Sequence, residues 1–489
     1  MLAIGSAQFV KIMISIFRMK ILAVLLGPNG VGLLSIYNSL LDMAQQTAGL
    51  GIGSSGIREI ASAGGVEPTL SRVRHVLFAA HLIQGTLAMI AIWLLRERIT
   101  IWIFSDTVRA TEVGLIGIAV LLCLLVSTQT VLLQGLRKIN DLVRVTVFGT
   151  FFGTLAGLAA VWLQGESGLI WFLLLQPLAA VLTALHYTRL LPKPTVVRLS
   201  LLESWDIWMP MAKLGAAFML GGLATAATLL LVRSLISQAL GLSAAGYFAA
   251  SWGITMTYVG FLLVAMRADY YPRLTEIIHN KAAVVQLIND QAQLGLAISG
   301  PILLLLIGLA PWVITLLYSS VFEPAVRLLQ LQMLGNVFKI ASWAMSLAIV
   351  AAARGKTFFL TELSFNIIFV SIVFIFLPYV GLVVTAYAFV IGYFVYLIVV
   401  YVLTRSIHGF RWQALSLGLL GLHTSLCVVL LMLALIAPLA AAIASPFFAA
   451  ATGLFGLRVV LSKVGNQGSL TKWLYGIFAR LGWPIQSAI

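Results

Sequence analysis

Uninterrupted apolar runs of about twenty residues recur from one end of this chain to the other, and they restrict its fold more than any other feature. A run of that length crosses a hydrocarbon core ~30 Å thick as a single α-helix. In lipid every backbone N–H and C=O must be satisfied internally, which leaves only helices and closed barrels as spanning structures. Barrel strands need ~10 residues and alternate apolar with polar side chains; the runs here are too long and too continuous. Composition agrees, with 61% hydrophobic and 9% charged residues over 489 and a mean hydropathy of +1.06. The fold class expected is an all-α polytopic membrane protein. Fourteen spans are predicted, at 4–26, 31–53, 76–95, 113–134, 143–163, 169–190, 210–236, 245–266, 294–318, 326–353, 357–377, 381–403, 415–437 and 443–461.

The formal charge of +15 does not point to nucleic acid, because no basic groove interleaved with aromatics is present. Lys and Arg instead cluster in short loops on one side of the predicted spans, 21 against 5, with four more inside spans. The positive-inside rule then places both termini in the cytoplasm. Cys123 and Cys427 lie within apolar runs, so no disulfide framework is expected. The six histidines lack metal-ligand spacing. The first apolar run carries its charges internally and LLGPNGVG does not resemble a cleavage site, so it is read as a retained span. The segments 268–293 and 472–483 mix charged and apolar residues and are expected to lie along the cytoplasmic interface.

Several charges fall where lipid should exclude them. In FVKIMISIFRMKILAVLLGPNGVG (9–32), Lys11 and Arg18 are seven residues apart, hence within ~20° on one helix face and ~10 Å along the axis. They straddle the membrane centre, where a cation costs ~2.5–3.5 kcal/mol even on the lenient insertion scale. Lys20 faces the other way and can reach the headgroups. Asp42, followed by Gln45 and Gln46, lies mid-span and can balance one cation or couple to H⁺ or Na⁺. Lys339 in span 10 and Glu362 in span 11 are placed for a salt bridge, and Glu362 is a second candidate for ion coupling. Arg233 suits a snorkelling position near the outer end of span 7, and Arg58 and Arg267 end spans 2 and 8 at the cytoplasmic face. A pyrophosphate carries about two negative charges, and arginine's planar fork beside a lysine fits its oxygens. Lys11 and Arg18 are therefore read as the core of an anion site, assisted by Arg58, Arg233, Arg267 and Lys339. Glycines in GLGIGSSG (49–56) and at 221–222 permit close packing or bending.

LGPNGVG (26–32) and LGLSAAG (240–246) both fit LGxxxxG at a spacing of 214 residues, the trace of an internal repeat. The stretch ILAVLLGPNGVGLLSIYNSLLDMAQQTAGLGIGSSGIREIA (21–61) resembles the start of Wzx-type polysaccharide transporters, members of the multidrug/oligosaccharidyl-lipid/polysaccharide exporter superfamily. The resemblance implies two six-helix lobes, 1–193 and 194–411, around a central cavity, with two extra helices and a basic tail over 412–489. It implies a flippase that carries an undecaprenyl-pyrophosphate-linked oligosaccharide, an O-antigen or exopolysaccharide repeat unit, across the bacterial inner membrane by alternating access. Membrane lipids, a polysaccharide polymerase and chain-length proteins are the partners it implies, and no cofactor beyond a coupling ion. Twelve spans are usual for that family and fourteen for the related lipid II flippases, so a peptidoglycan precursor is the alternative cargo.

A glycolipid-processing enzyme would need an extramembrane domain or a catalytic motif, and neither DxD, HExxH nor a Gly-rich nucleotide loop occurs. A cation-coupled drug antiporter would favour acidic cavity residues, whereas the charges within these spans lean positive. A passive scaffold would not retain buried charge.

Overall fold

The computed structural model describes residues 2–64, 66–192, 195, 199–464, 469–480 and 483, except for the side chains of 2–7, 217, 218, 464, 469 and 470. Lys193 and Arg198 of the charge tally, and the expected lobe boundary at 193/194, lie outside the described residues. The described chain is helical: α1 (Leu2–Gly49), α2 (Ile52–Ser62), α3 (Thr69–Phe104), α4 (Ala110–Gly135), α5 (Ile139–Gln164), α6 (Gly168–Arg189), α7 (Leu201–Leu240) and α8 (Leu242–Glu276), then α9 (Lys281–Gly308), α10 (Ala310–Leu317), α11 (Pro324–Ala351), α12 (Gly355–Val380), α13 (Val384–His408), α14 (Ala414–Ile436), α15 (Pro438–Val464) and α16 (Ser469–Arg480). Ten stretches among the described residues are long and apolar enough to cross a membrane, and two of them, Ile139–Arg189 and Gly355–His408, each hold two helices. The protein is a multi-pass α-helical membrane protein.

Three departures from the expected spans have local causes. Helix α1 carries spans 1 and 2 and breaks at Gly27, whose left-handed φ of 64° stops one helix just before Pro28 opens the next. Span 2 does not run unbroken to residue 53: Leu50 and Gly51 both have positive φ, 46° and 65°, and α2 restarts beyond them. The glycine-rich stretch is thus a bend. The segment 268–293 is not a separate interfacial helix. Helices α8 and α9 run through it as extensions of their spans, separated only by a turn in which Asn280 caps α9 through Ala283 N at 3.2 Å.

The chain packs as two compact units, Met1–Ala249 with Leu317–Val321, and Ala250–Leu316 with Phe322–Ile489. The division falls inside α8, and α7 packs with α1, α2 and α3 in the first unit. Its N-terminus is fixed by a capping box, in which Ser200 and Glu203 exchange hydrogen bonds at 3.2 and 2.7 Å. Those bonds from Ser200 hold the Glu203 carboxyl below the usual carboxylate range. Glycine lets the helix backbones meet: Gly51 lies against Gly215 and Gly222 against the Gln46 amide, while the Ser55 hydroxyl donates to Met211 O at 2.8 Å.

The two LGxxxxG segments meet in this unit. Gly27 and Gly241, equivalent at 214 residues, both have positive φ, 64° and 86°. The Ser243 hydroxyl donates to its equivalent Asn29 Oδ1 at 2.6 Å. Gly32 rests on the backbone of Leu242 and Gly246, and Gly246 rests on Pro28. Each segment offers its partner the same surface, as in an isologous contact about a two-fold axis. The repeat that sequence identity barely registers is present as reciprocal backbone packing.

In the second unit α9 is a central strut on which the last two spanning helices are built. Gly300 faces His423 of α14, and Gly308 and Gly456 lie against Ser445 and Ala297 across the α9–α15 contact. Asn289 ties α9 to the start of α14, donating to Arg411 O at 3.0 Å and accepting from Gln413 N at 2.9 Å and Ser416 Oγ at 2.8 Å. Lys463 of α15 pairs with Asp290 of α9. Helix α16 covers part of the 472–483 tail and returns to α15 through the Tyr475 hydroxyl on Leu461 O at 2.9 Å; Leu481 and Gly482 of that tail lie outside the described residues.

Candidate functional site

Arg18 is half-buried on the first half of α1, with its guanidinium 5.7 Å from the Phe172 ring of α6 and Nη2 3.2 Å from Ser15 Oγ. Its buried Nε has no partner, and no ion pair forms on it among the described residues. Lys11 is exposed one face-repeat away, Lys20 is half-buried, and Arg58 is exposed on α2. Asp42, expected to balance Lys11 or Arg18, instead lies within the electrostatic reach of Arg233. The reason is directional. Arg18 points at α6, whereas Arg233 of α7 reaches the second half of α1, donating through Nη1 to Ser35 O at 2.8 Å and to the Ser39 hydroxyl. Asp42 is three residues beyond Ser39 and makes no hydrogen bond or ion pair among the described residues.

Asp42 opens into a cavity of about 320 Å³ beside the break in span 2, lined by Gln45, Gln46, Ser54, His81 and Ser127 as well as the glycines at 49, 51 and 53. His81 is fully buried, with Nδ1 2.7 Å from Thr128 Oγ1 and Nε2 unpartnered. A second cavity of about 440 Å³ lies beyond Thr128 and is lined by Ser71, Arg74, His75, Gln129 and Thr195 among apolar neighbours. At its rim Thr195 donates from N to Ser71 Oγ and from its hydroxyl to Glu67, each at 3.1 Å. Hydrogen bonds from Ser71 and then Thr195 hold the Glu67 carboxyl below the usual carboxylate range.

In the second unit Lys339 and Glu362 feel each other's charge, yet the expected salt bridge is not made. Lys339 Nζ contacts Met256 Sδ at 3.3 Å and lies 5.2 Å from the centre of the Tyr393 ring. Glu362 instead accepts from the Tyr396 hydroxyl of the adjacent helix. Arg267 is exposed and stacks on Tyr271 at 5.9 Å. The structure therefore brings together Asp42 with Arg233 and Lys339 with Glu362, and leaves Arg18 without an acidic partner among the described residues. Sequence reasoning missed His81, Ser127 and the tyrosines beside Glu362. A lone imidazole in the middle of the apolar run 76–95 was the one local signal for His81.

Helices among the described residues, and charged and polar side chains held within the apolar stretches, define a multi-pass membrane protein. The family described as polysaccharide biosynthesis protein matches residues 21–327, and the chain belongs to that family. It is 24% identical over 367 residues to the lipid III flippase of Escherichia coli (strain K12), covering 74% of this chain and 86% of the relative. Among solved structures it is similar to the lipid II flippase MurJ in an inward closed conformation, with a TM-score of 0.65, 11% identity and coverage of 94% of this chain and 99% of that one. An inward-facing multidrug resistance MATE family transporter of the MOP superfamily matches with a TM-score of 0.67, 16% identity and coverage of 81% and 94%. The chain shares its fold with these two transporters.

Proposed function

We propose that this protein is a flippase that moves an oligosaccharide linked to undecaprenyl pyrophosphate, an O-antigen or exopolysaccharide repeat unit, across the bacterial inner membrane by alternating access, without covalent chemistry. The observation that carries the reading is Arg18, a half-buried guanidinium on the first half of α1, where the sequence predicts a span, in a polysaccharide-biosynthesis family member, with no carboxylate to neutralise it among the described residues. A desolvated arginine of this kind replaces the hydration a pyrophosphate loses in the membrane. Lys11 is the second pyrophosphate ligand. Arg58, Arg233, Arg267 and Lys339 assist in this reading, with both termini in the cytoplasm. The relative named as a lipid III flippase supports the same class of cargo.

The test is complementation of a strain lacking the gene. Arg18→Ala abolishes surface polysaccharide at unchanged protein level, and Arg18→Lys preserves part of it. Normal export by Arg18→Ala removes Arg18 from the site. A second reading, transport of a peptidoglycan precursor, is favoured by the two spanning helices built onto α9 beyond the twelfth; accumulation of lipid II rather than of a lipid-linked repeat unit in the depleted strain would establish it.

A further inference from the structure

The cavity beside the break in span 2 has an unusual economy of hydrogen bonds. Asp42, Gln45, Gln46, Ser54 and Ser127 all line it, and among the described residues none of these five side chains makes a hydrogen bond within the protein. Asp42 and Ser54 are exposed and Gln45, Gln46 and Ser127 half-buried, so their polar atoms face open space rather than protein partners, and groups at membrane depth have little bulk water to turn to. The buried His81 adds a ring nitrogen, Nε2, that is likewise unpartnered. Two amides, two hydroxyls, a carboxylate and an imidazole are thus left with donor and acceptor capacity around one space.

That space excludes the other parts of a prenyl-linked cargo. Among the described residues neither lysine nor arginine lines it, which argues against a phosphate site, and Leu124 is the one large apolar side chain on its wall, which argues against a prenyl site. Its volume of about 320 Å³ falls at the small end of ligand pockets, which run from ~300 to ~1,000 Å³. A ligand dense in hydroxyls, each able to donate and accept, matches such a lining. The bend helps: with Leu50 and Gly51 out of the helix, glycine backbone at 49, 51 and 53 forms part of the wall and lets a ligand approach closely.

We infer that this cavity is a saccharide subsite, which takes a sugar ring of the lipid-linked cargo by hydrogen bonds to its hydroxyls and is separate from the pyrophosphate site. The inference rests on the flippase reading. Asp42 accepts from sugar hydroxyls, and Arg233, held on Ser35 O and the Ser39 hydroxyl, does not occupy it.

Binding of two probes to the protein in nanodiscs separates the two claims. The first is bare undecaprenyl pyrophosphate; the second is the undecaprenyl-pyrophosphate oligosaccharide extracted from the host's own membranes. Two or three sugar hydrogen bonds make the second bind at least about tenfold tighter. Gln46→Ala and Ser127→Ala bring that ratio toward one and leave binding of the bare lipid within about twofold. Arg18→Ala weakens both probes by the same factor. A wild-type ratio near one, or a ratio that both cavity variants retain, overturns the saccharide subsite while the pyrophosphate site stands. If Asp42→Asn keeps the ratio but removes a dependence of binding on Na⁺ or pH, the cavity is a cation site and the inference fails. If Arg18→Ala leaves both affinities unchanged, or the wild type binds neither lipid, it is the flippase reading that fails.

Discussion

The reciprocal glycine contact makes a quantitative claim about a place with no charged chemistry at all. A methyl group added at Gly32 would collide with Leu242 O and stand 2.9 Å from Gly246 N, and one added at Gly246 would collide with Pro28 O and stand 3.0 Å from Pro28 Cα. Every one of these obstacles is backbone, so no side chain can rotate out of the way. Overpacking of this sort costs ~1–3 kcal/mol, and the upper half of that range is expected because two helix starts must move apart. Gly221 in α7 is the control, since nothing lies within 4 Å of a Cβ there; Gly221→Ala should gain roughly 0.5–1 kcal/mol from helix propensity alone. Thermal unfolding in detergent, followed by tryptophan fluorescence, reads the order. Gly32→Ala and Gly246→Ala should melt below the wild type and Gly221→Ala at or above it. Because both methyl groups open the same crossing, the double variant should lose less than the sum of the single losses. If Gly32→Ala melts together with Gly221→Ala, the two segments are not packed backbone to backbone and the interlocked repeat is wrong.

Other consequences follow from single contacts. Cysteines at Asn29 and Ser243, whose side-chain oxygens are 2.6 Å apart, should cross-link under mild oxidation; if opening this crossing is part of the transport cycle, export stops and returns on reduction. Lys339→Met should raise the melting temperature, because an unpaired lysine within a span costs ~2.5–3.5 kcal/mol, while lowering export; a variant that melts lower would show that the Met256 and Tyr393 contacts stabilise the charge. Asp290→Ala should loosen α15 from α9 by about 1 kcal/mol, read as faster proteolysis after α14, and the exchanged pair Asp290→Lys/Lys463→Asp should restore resistance. Ser200→Ala removes the cap of α7 and should cost ~1 kcal/mol, measured by the same melts.

How much of this was legible in the sequence depends on how local the cause is. The spans could be read because hydropathy acts residue by residue: each expected span is carried by helix, although 31–53 is divided between α1 and α2 and 294–318 between α9 and α10. The turn at Gly27 was marked by Gly-Pro. The break at Leu50 was not, because leucine at positive φ leaves no signature, and the glycines around it fitted packing as well as bending. The partner of Asp42 was illegible for a different reason. Arg233 is 191 positions away, and which cation a carboxylate meets is set by how α7 lies on α1. The same holds for Glu362, whose hydroxyl partner Tyr396 comes from the neighbouring helix, while Lys339 lies on Met256 and Tyr393.

Arg18 shows what a charge inside a span requires once its neighbours are known. Its contact with the Phe172 ring is worth ~0.5–2 kcal/mol, and its bond to Ser15 ~0.5–1.5 kcal/mol net, rising somewhat because the donor is charged. Placing an arginine at membrane depth costs ~2.5–3.5 kcal/mol on the most lenient scale and more than 10 on others. At the lenient end the ring and the hydroxyl nearly offset the charge; at any higher value they do not, and the unpartnered Nε shows that the guanidinium's donors are not all used. A protein without a ligand for this arginine would be more stable with methionine there. Retaining it makes physical sense if an anion completes the site, and the bidentate oxygens of a pyrophosphate supply the two acceptors that Phe172 and Ser15 leave wanting.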